Sequence, residues 1–324
     1  MKDIKKIILI AFNLLHNPTF EKLSFDDQLA VLGIATINTY KAVKKARPDA
    51  YVIVAWRERG LCNQLALSQE NVDKLIDILG RITQQKDLLI IAGSIISQKK
   101  VIVSEKQDKL MEVKDAYNQY QFVETLEKAK NYSFSFLDHK NQFNLISKEA
   151  QFFKIKHTSL FFKDGAKVYR RHKIAPWEEI PRNVEKPHAY TLKKQELIYT
   201  LDEENHKTIG VEMCFEHNLG LMQHAVKNQM IPAPTIHLII ADSNTLMPEH
   251  ACGDYTVRID SDPDDSINFG MKPNANNEFL EVYQVNPYQY QNPVFVKIVP
   301  QIYNSMENLV AEAPGRQDGV ELKL

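Results

Sequence analysis

Glycine is scarce in this chain, with 11 in 324 residues. No two glycines are spaced G-x-G, and no pair has P-loop spacing. Both loops need glycine where backbone approaches a phosphate, so neither standard nucleotide cradle can be built. There is no G-x-S-x-G elbow, which argues against a serine enzyme of the α/β-hydrolase type. Cysteine is sparse and odd in number: Cys62, Cys214 and Cys252. No C-x-x-C pair occurs, so zinc modules and disulfide-stapled secreted domains are disfavoured, and the cytoplasm is the expected compartment. Net charge is almost absent, with 40 Lys plus Arg against 41 Asp plus Glu. A duplex binder carries a basic face, so nucleic acid is not the expected partner. No apolar run reaches the ~18 residues of a membrane span, so no membrane association is expected. The basic stretch from Lys2 to Lys6 ahead of Ile7–Phe12 mimics a short export signal. Asn13, His16 and Asn17 interrupt it, and it reads as a buried first strand.

What is present is an ordinary globular composition, 44% hydrophobic and 25% charged, at a length that suits about two domains or one large α/β domain. Strand, helix, strand, helix and strand alternate over the first 100 residues. Ser24 caps a helix over 25–46, and Ser68 opens a second with Val72, Leu75, Ile76, Leu79 and Ile82 at helical spacing. The strands Ile7–Phe12, Tyr51–Trp56 and Leu88–Ala92 are apolar throughout rather than alternating, which predicts a sheet covered by helices. Short strand-like pieces follow at 101–103, 134–136, 152–155 and 159–162, around a charged amphipathic stretch over 108–130. Asp164-Gly165 marks a hairpin. Further strands are expected at 208–213, 236–241, 255–259 and 294–299, with a helix over 218–229. Residues 304–324 are polar and read as a tail.

Reactive residues stand where strands end. Glu58 closes the strand before Arg59-Gly60. Lys173 precedes a turn stiffened by Pro176. Cys214 lies between a strand and a helix. A free thiol has pKa ~8.5, so a nearby carboxylate is needed to take its proton, or an ammonium to favour the thiolate. An ammonium and a backbone N–H beside the sulfur can hold the oxyanion of a tetrahedral intermediate. Glu, Lys and Cys therefore suffice for acyl transfer through a thioester, with no metal and no cofactor. Glu216-His217 with His224, and Glu249-His250 with Cys252 and Asp254, put ligand types close together. No H-E-x-x-H or facial-triad spacing appears, so no metal is expected.

Glu58, Lys173 and Cys214, in that order, resemble the Glu-Lys-Cys triad of the nitrilase (carbon–nitrogen hydrolase) superfamily. Trp56-Arg57-Glu58-Arg59-Gly60-Leu61 is similar to the family's F-P-E-x-x-L segment. His172-Lys173-Ile174-Ala175-Pro176-Trp177 is similar to K-L-x-P and K-I-x-P-W, and Gly210–His217 to G-x-x-I-C-x-[DE]. The pieces at 90–94, 158–170 and 236–244 also match, so the resemblance covers roughly residues 5–300. It implies a four-layer αββα sandwich, one domain over 1–303 with an insertion at 99–157, and pairing into a homodimer or larger homo-oligomer through outer helices. It also implies Cys214 as nucleophile, Glu58 as general base, and Lys173 with the Phe215 N–H as stabilisers of the intermediate. Glu178 or Glu179 stands for the family's second glutamate. Trp177, Glu216 and His217 are candidates for the substrate pocket.

The chain departs from the family's pattern at Arg57, where proline is usual, and Arg171 competes with Lys173 as the cation. The implied reaction is hydrolysis of a non-peptide C–N bond in a small amide, carbamoyl compound or nitrile. Two alternatives stay open. One is a catalytically silent binding protein; the other is acyl transfer to an acceptor other than water.

Overall fold

The computed structural model describes residues 4–12, 17–62, 65–101, 152–173, 183, 188–190, 197–242, 246–260 and 267–302. They form an α/β structure with two sheets and few helices. The first sheet is built around β1 (Ile7–Phe12), β2 (Tyr51–Ala55) and β3 (Leu88–Ile91), which run parallel. The short α1 (Pro18–Glu21) follows β1. Two longer helices connect the central strands, α2 (Phe25–Ala46) after β1 and α3 (Gln69–Ile82) after β2. The Ser24 and Ser68 side chains accept the Asp27 and Asn71 N–H groups, as their N-cap positions require.

On one side of this parallel core the sheet continues with β4 (Ile95–Val101), β5 (Phe152–Lys163), β6 (Ala166–His172) and β7 (His188–Tyr190). The second sheet begins with β8 (Ile198–Asp202) and β9 (Lys207–Met213). After β9 come two short helices, α4 (Phe215–Asn218) and α5 (Leu221–Lys227). Then follow β10 (Ile236–Ile240), β11 (Tyr255–Ile259) and β12 (Ile267–Met271). The chain returns to the far edge of the first sheet as β13 (Leu280–Val285) and β14 (Phe295–Ile298), and β15 (Gln301–Ile302) closes the second. Parallel β9, β10 and β11 form the centre of that second sheet.

The unbroken apolar strands have a direct explanation. Successive side chains of a strand point to opposite faces. Ile8, Ile10, Phe12, Val52, Val54, Leu88 and Ile90 pack with Leu29, Leu32, Val43, Leu75 and Leu79 of α2 and α3. Ile7, Leu9, Ala11, Ile53, Ala55, Leu89 and Ile91 pack with Val211, Met213, Leu238, Ile240, Val257 and Ile259 of the second sheet. Both faces are covered, so both parities must be apolar. On the other face of the second sheet, Met222 and Ala225 of α5 pack with Leu197 and Cys252.

Four sequence expectations are revised. One face of the first sheet is covered by the second sheet and not, as expected, by helices. The pieces at 152–155 and 159–162 form one twelve-residue strand, β5. The expected 99–157 insertion begins and ends inside the sheet, since Lys99 to Val101 pair with Phe152 to Lys154. The helix expected over 218–229 is broken at Gly220, whose φ of 62° ends α4 and starts α5. A β-carbon there would meet the His250 ring at 2.9 Å. The amphipathic stretch 108–130 and the tail 304–324 lie outside the described residues. Among the described residues, no helix is long and apolar enough to cross a membrane.

Candidate active site

The candidate site residues stand just past the C-terminal ends of β2, β6 and β9. Glu58 lies three residues past β2, where its backbone bridges to Ser94 past the end of β3. Gly93 makes this close approach possible. Its φ is 55°, and a β-carbon there would lie 2.0 Å from the Arg57 carbonyl oxygen. Lys173 follows β6 directly, and its N–H donates to the His157 carbonyl of β5 at 2.8 Å. Both side chains are buried. Lys173 Nζ donates to Glu58 Oε1 at 2.8 Å, joining residues 115 apart. A buried ammonium and a buried carboxylate are tolerated only as such a pair. His157 Nε2 lies 3.4 Å from the same oxygen and 2.6 Å from Ser94 Oγ.

Cys214 occupies the junction between β9 and α4 with φ 48° and ψ −110°. This backbone region costs a non-glycine residue about 1–3 kcal/mol and persists only where surrounding contacts impose it. Here they do. The Cys214 N–H donates to the Ile240 carbonyl at 2.8 Å, and its carbonyl accepts from His217 N–H at 2.9 Å. Met213 N–H donates to Glu216 Oε2 at 3.1 Å. Cys214 is half-buried, and its sulfur lies 3.9 Å from the Asp242 carbonyl oxygen.

Asp242 joins the cysteine side to the glutamate side. It sits just past β10, and its Oδ1 accepts from Arg57 Nη1 at 2.8 Å while Oδ2 accepts from Arg59 Nη2 at 2.6 Å. Arg57 and Arg59 flank Glu58 in the chain. Arg57 thus reaches across to the second sheet. Two guanidinium groups on one largely buried carboxylate form a charge-assisted clasp.

The expected site residues divide as follows. Glu58 and Lys173 meet directly. Cys214 approaches their turn through Asp242. Arg171, the competing cation, has a different carboxylate, on the cysteine turn: its Nη2 lies 2.9 Å from Glu216 Oε2, with both side chains fully buried, and its Nη1 also donates to the His172 carbonyl. Phe215 is the first residue of α4. Glu216 and His217, expected on a pocket wall, are both wholly buried. Glu216 serves Arg171 and the Met213 N–H, and His217 serves Glu212, so both brace the cysteine turn from within. Trp177, Glu178 and Glu179 lie outside the described residues.

Sequence reasoning passed over Asp242, His157 and Glu212. Asp242 carries the same signal as Glu58, a carboxylate just after a buried strand. Glu212 and His237 are ionisable residues inside apolar strands, a pattern that by itself marks a buried network. The other two thiols are set apart from Cys214. Burial pushes Cys62 up to about 11. Burial first, then the charge of Glu212, pushes Cys252 far above the usual thiol range.

No family model matches this chain, and no curated protein matches it. Among solved structures it is similar to a glutamine-dependent NAD(+) synthetase from Cytophaga hutchinsonii, at 12% identity and a TM-score of 0.34. The match covers 70% of this chain and 33% of the synthetase, so this chain spans about a third of that protein's length.

Proposed function

We propose that this protein is a cysteine-dependent hydrolase of a small, non-peptide C–N compound: an amide, a carbamoyl compound or a nitrile. Cys214 is the nucleophile, Glu58 the general base, and Lys173 the cation that stabilises the tetrahedral intermediate. The observation that carries this is the buried Glu58–Lys173 pair at 2.8 Å, with Cys214 placed beside Asp242 and Asp242 clasped by the two arginines around Glu58. The order of layers agrees with an αββα sandwich, helices α2 and α3 on one sheet and α4 and α5 on the other. In that arrangement, a second copy pairs against the outer helices.

For an amide, Glu58 accepts the thiol proton as sulfur attacks the carbonyl carbon. The C=O electron pair moves to oxygen, where the Lys173 ammonium and the Phe215 N–H receive the negative charge. Collapse of this intermediate breaks the C–N bond, and the nitrogen leaves with the proton from Glu58. A thioester remains on Cys214. Water then gives a proton to Glu58 and attacks the thioester. The C–S bond breaks, the acid departs, and the thiol recovers its proton. With a nitrile, the thiol adds across the triple bond to give a thioimidate. One water then releases ammonia and leaves the same thioester. Donors fixed in a buried site need no reorganisation as charge develops, and each is worth ~100- to 1000-fold in rate.

The test is incubation with a panel of amides, carbamoyl compounds and nitriles, followed by ammonia assay and intact mass. Turnover that disappears in Cys214→Ala, with an acyl adduct on Cys214, is expected. No turnover across the panel overturns the proposal, whether or not Cys214 reacts with iodoacetamide.

A further inference from the structure

Glu212 is a fully ionisable residue buried within β9, two positions before Cys214, and the proposed chemistry does not use it. Its side chain lies on the face of the second sheet that α4 and α5 cover. Oε2 accepts from His217 Nδ1 of α4 at 2.8 Å and from His237 Nε2 of β10 at 2.9 Å. Oε1 accepts from the Met222 N–H of α5 at 2.6 Å. One carboxylate therefore ties together the strand before the cysteine, both helices after it, and the neighbouring strand.

The same three residues bring a carboxylate oxygen and two ring nitrogens within 4.8 Å of one another, which resembles a metal site. The hydrogen bonds on the far side of each ring decide between the two. His217 Nε2 accepts the Met247 N–H at 3.1 Å, so its proton is on Nδ1, facing Glu212. His237 Nδ1 faces the Cys252 N–H at 3.4 Å and the Cys252 thiol at 3.6 Å, so its proton is on Nε2, also facing Glu212. A ring nitrogen that carries a proton has no lone pair for a metal. The cluster is an acceptor surrounded by three N–H donors. Burial opposes the charge of Glu212, but the hydrogen bonds of His217 and His237, together with their electrostatic attraction, outweigh it and hold its pKa well below the usual carboxylate range.

We propose that Glu212, through His217 and His237, is the positioning residue that holds the Cys214 turn in its strained geometry for the reaction proposed above. The positive φ of Cys214 must be imposed from outside, and the Glu212 bonds to His217 and Met222 span the turn from one side to the other. A misplacement of about 1 Å at a reacting atom costs about 100-fold in rate. The effect belongs to the orientation of the nucleophile and not to substrate binding.

The proposal rests on the hydrolase reading, so the test has one arm that needs no substrate. Glu212→Gln presents an amide NH₂ to at least one N–H donor and cannot satisfy all three. His217→Asn keeps a donor near the place of Nδ1, whereas His217→Leu removes it. Expected in Glu212→Gln is at least a tenfold slower alkylation of Cys214 by iodoacetamide at pH 7. On any substrate found, kcat falls about 100-fold while KM stays within about twofold. His217→Asn recovers most of the alkylation rate that His217→Leu loses, which a merely structural contribution to folding would not produce. Equal alkylation rates in the folded wild-type, Glu212→Gln and His217→Leu proteins overturn the proposal, as do equal losses in the Asn and Leu variants. Should Glu212→Gln fail to fold, the His217 pair decides. One equivalent of zinc, offered as the chloride, that survives dialysis and is lost in His217→Leu also overturns it. If the wild type turns over no substrate while the alkylation differences persist, the reaction assignment fails and the positioning of Cys214 by Glu212 stands.

Discussion

Glu58→Gln removes the charge facing Lys173 in a site where neither side chain has solvent access. The ammonium is left buried beside a neutral amide. Breaking one side of a buried pair typically costs about 3–5 kcal/mol. The unfolding entropy near the midpoint is about 2.1 cal/mol/K per residue, or about 0.7 kcal/mol/K over 324 residues. The melting temperature should therefore fall by about 4–7 °C. Lys173→Met should fall towards the lower end of that range, because His157 still lies 3.4 Å from the remaining carboxylate. The double variant Glu58→Gln/Lys173→Met leaves neither charge stranded and should return to within about 2 °C of wild type. All three should lose turnover. Differential scanning calorimetry on the four proteins measures the coupling directly. If the single variants melt within about 1 °C of wild type and the double is additive, the pair is not buried as argued, and the site built on it fails.

Three further outcomes follow from the same geometry. Asp242→Asn weakens the clasp of Arg57 and Arg59; kcat should fall at least tenfold with KM nearly unchanged, and a change confined to KM would refute its role in aligning the two sheets. At pH 8, iodoacetamide should label one thiol per folded chain, Cys214, because burial pushes Cys62 up to about 11 and Cys252 higher still; peptide mapping that finds Cys252 first would contradict this. Glu212 is held below its unfolded pKa against its burial by His217 of α4 and His237 of β10, with the Cys252 thiol behind His237. A depressed folded pKa means its stabilisation is complete above the unfolded value of ~4.3 and is withdrawn as pH falls below it. Thermal melts below that pH should decline more steeply for wild type than for Glu212→Gln, and parallel declines would refute the assignment.

Much of the frame was legible locally. Ser24 and Ser68 cap the helices that their spacing indicates, and the continuous apolar strands are covered on both faces as their composition requires. Other parts were not legible. Strands β12 and β13 lie in a stretch with mixed polar residues and no clear period, and their place is set by pairing with β11 and β1. The break at Gly220 depends on the approach of His250, thirty residues later.

At the site the division is sharper. The sequence by itself determined that Glu58, Lys173 and Cys214 stand at strand ends, and that these residue types suffice for thioester chemistry. It left Lys173 and Arg171 as competitors. Tertiary structure gives each its own carboxylate, Glu58 for Lys173 and Glu216 for Arg171. Tertiary structure alone supplied Asp242 as the clasp across the sheets and Glu212 as the acceptor of three N–H groups beside the Cys214 turn. Local pattern reports whether a side chain is buried. A buried charge is stable only with a partner at hydrogen-bond distance, and here Lys173 and Asp242 reach partners 115 and 185 residues away.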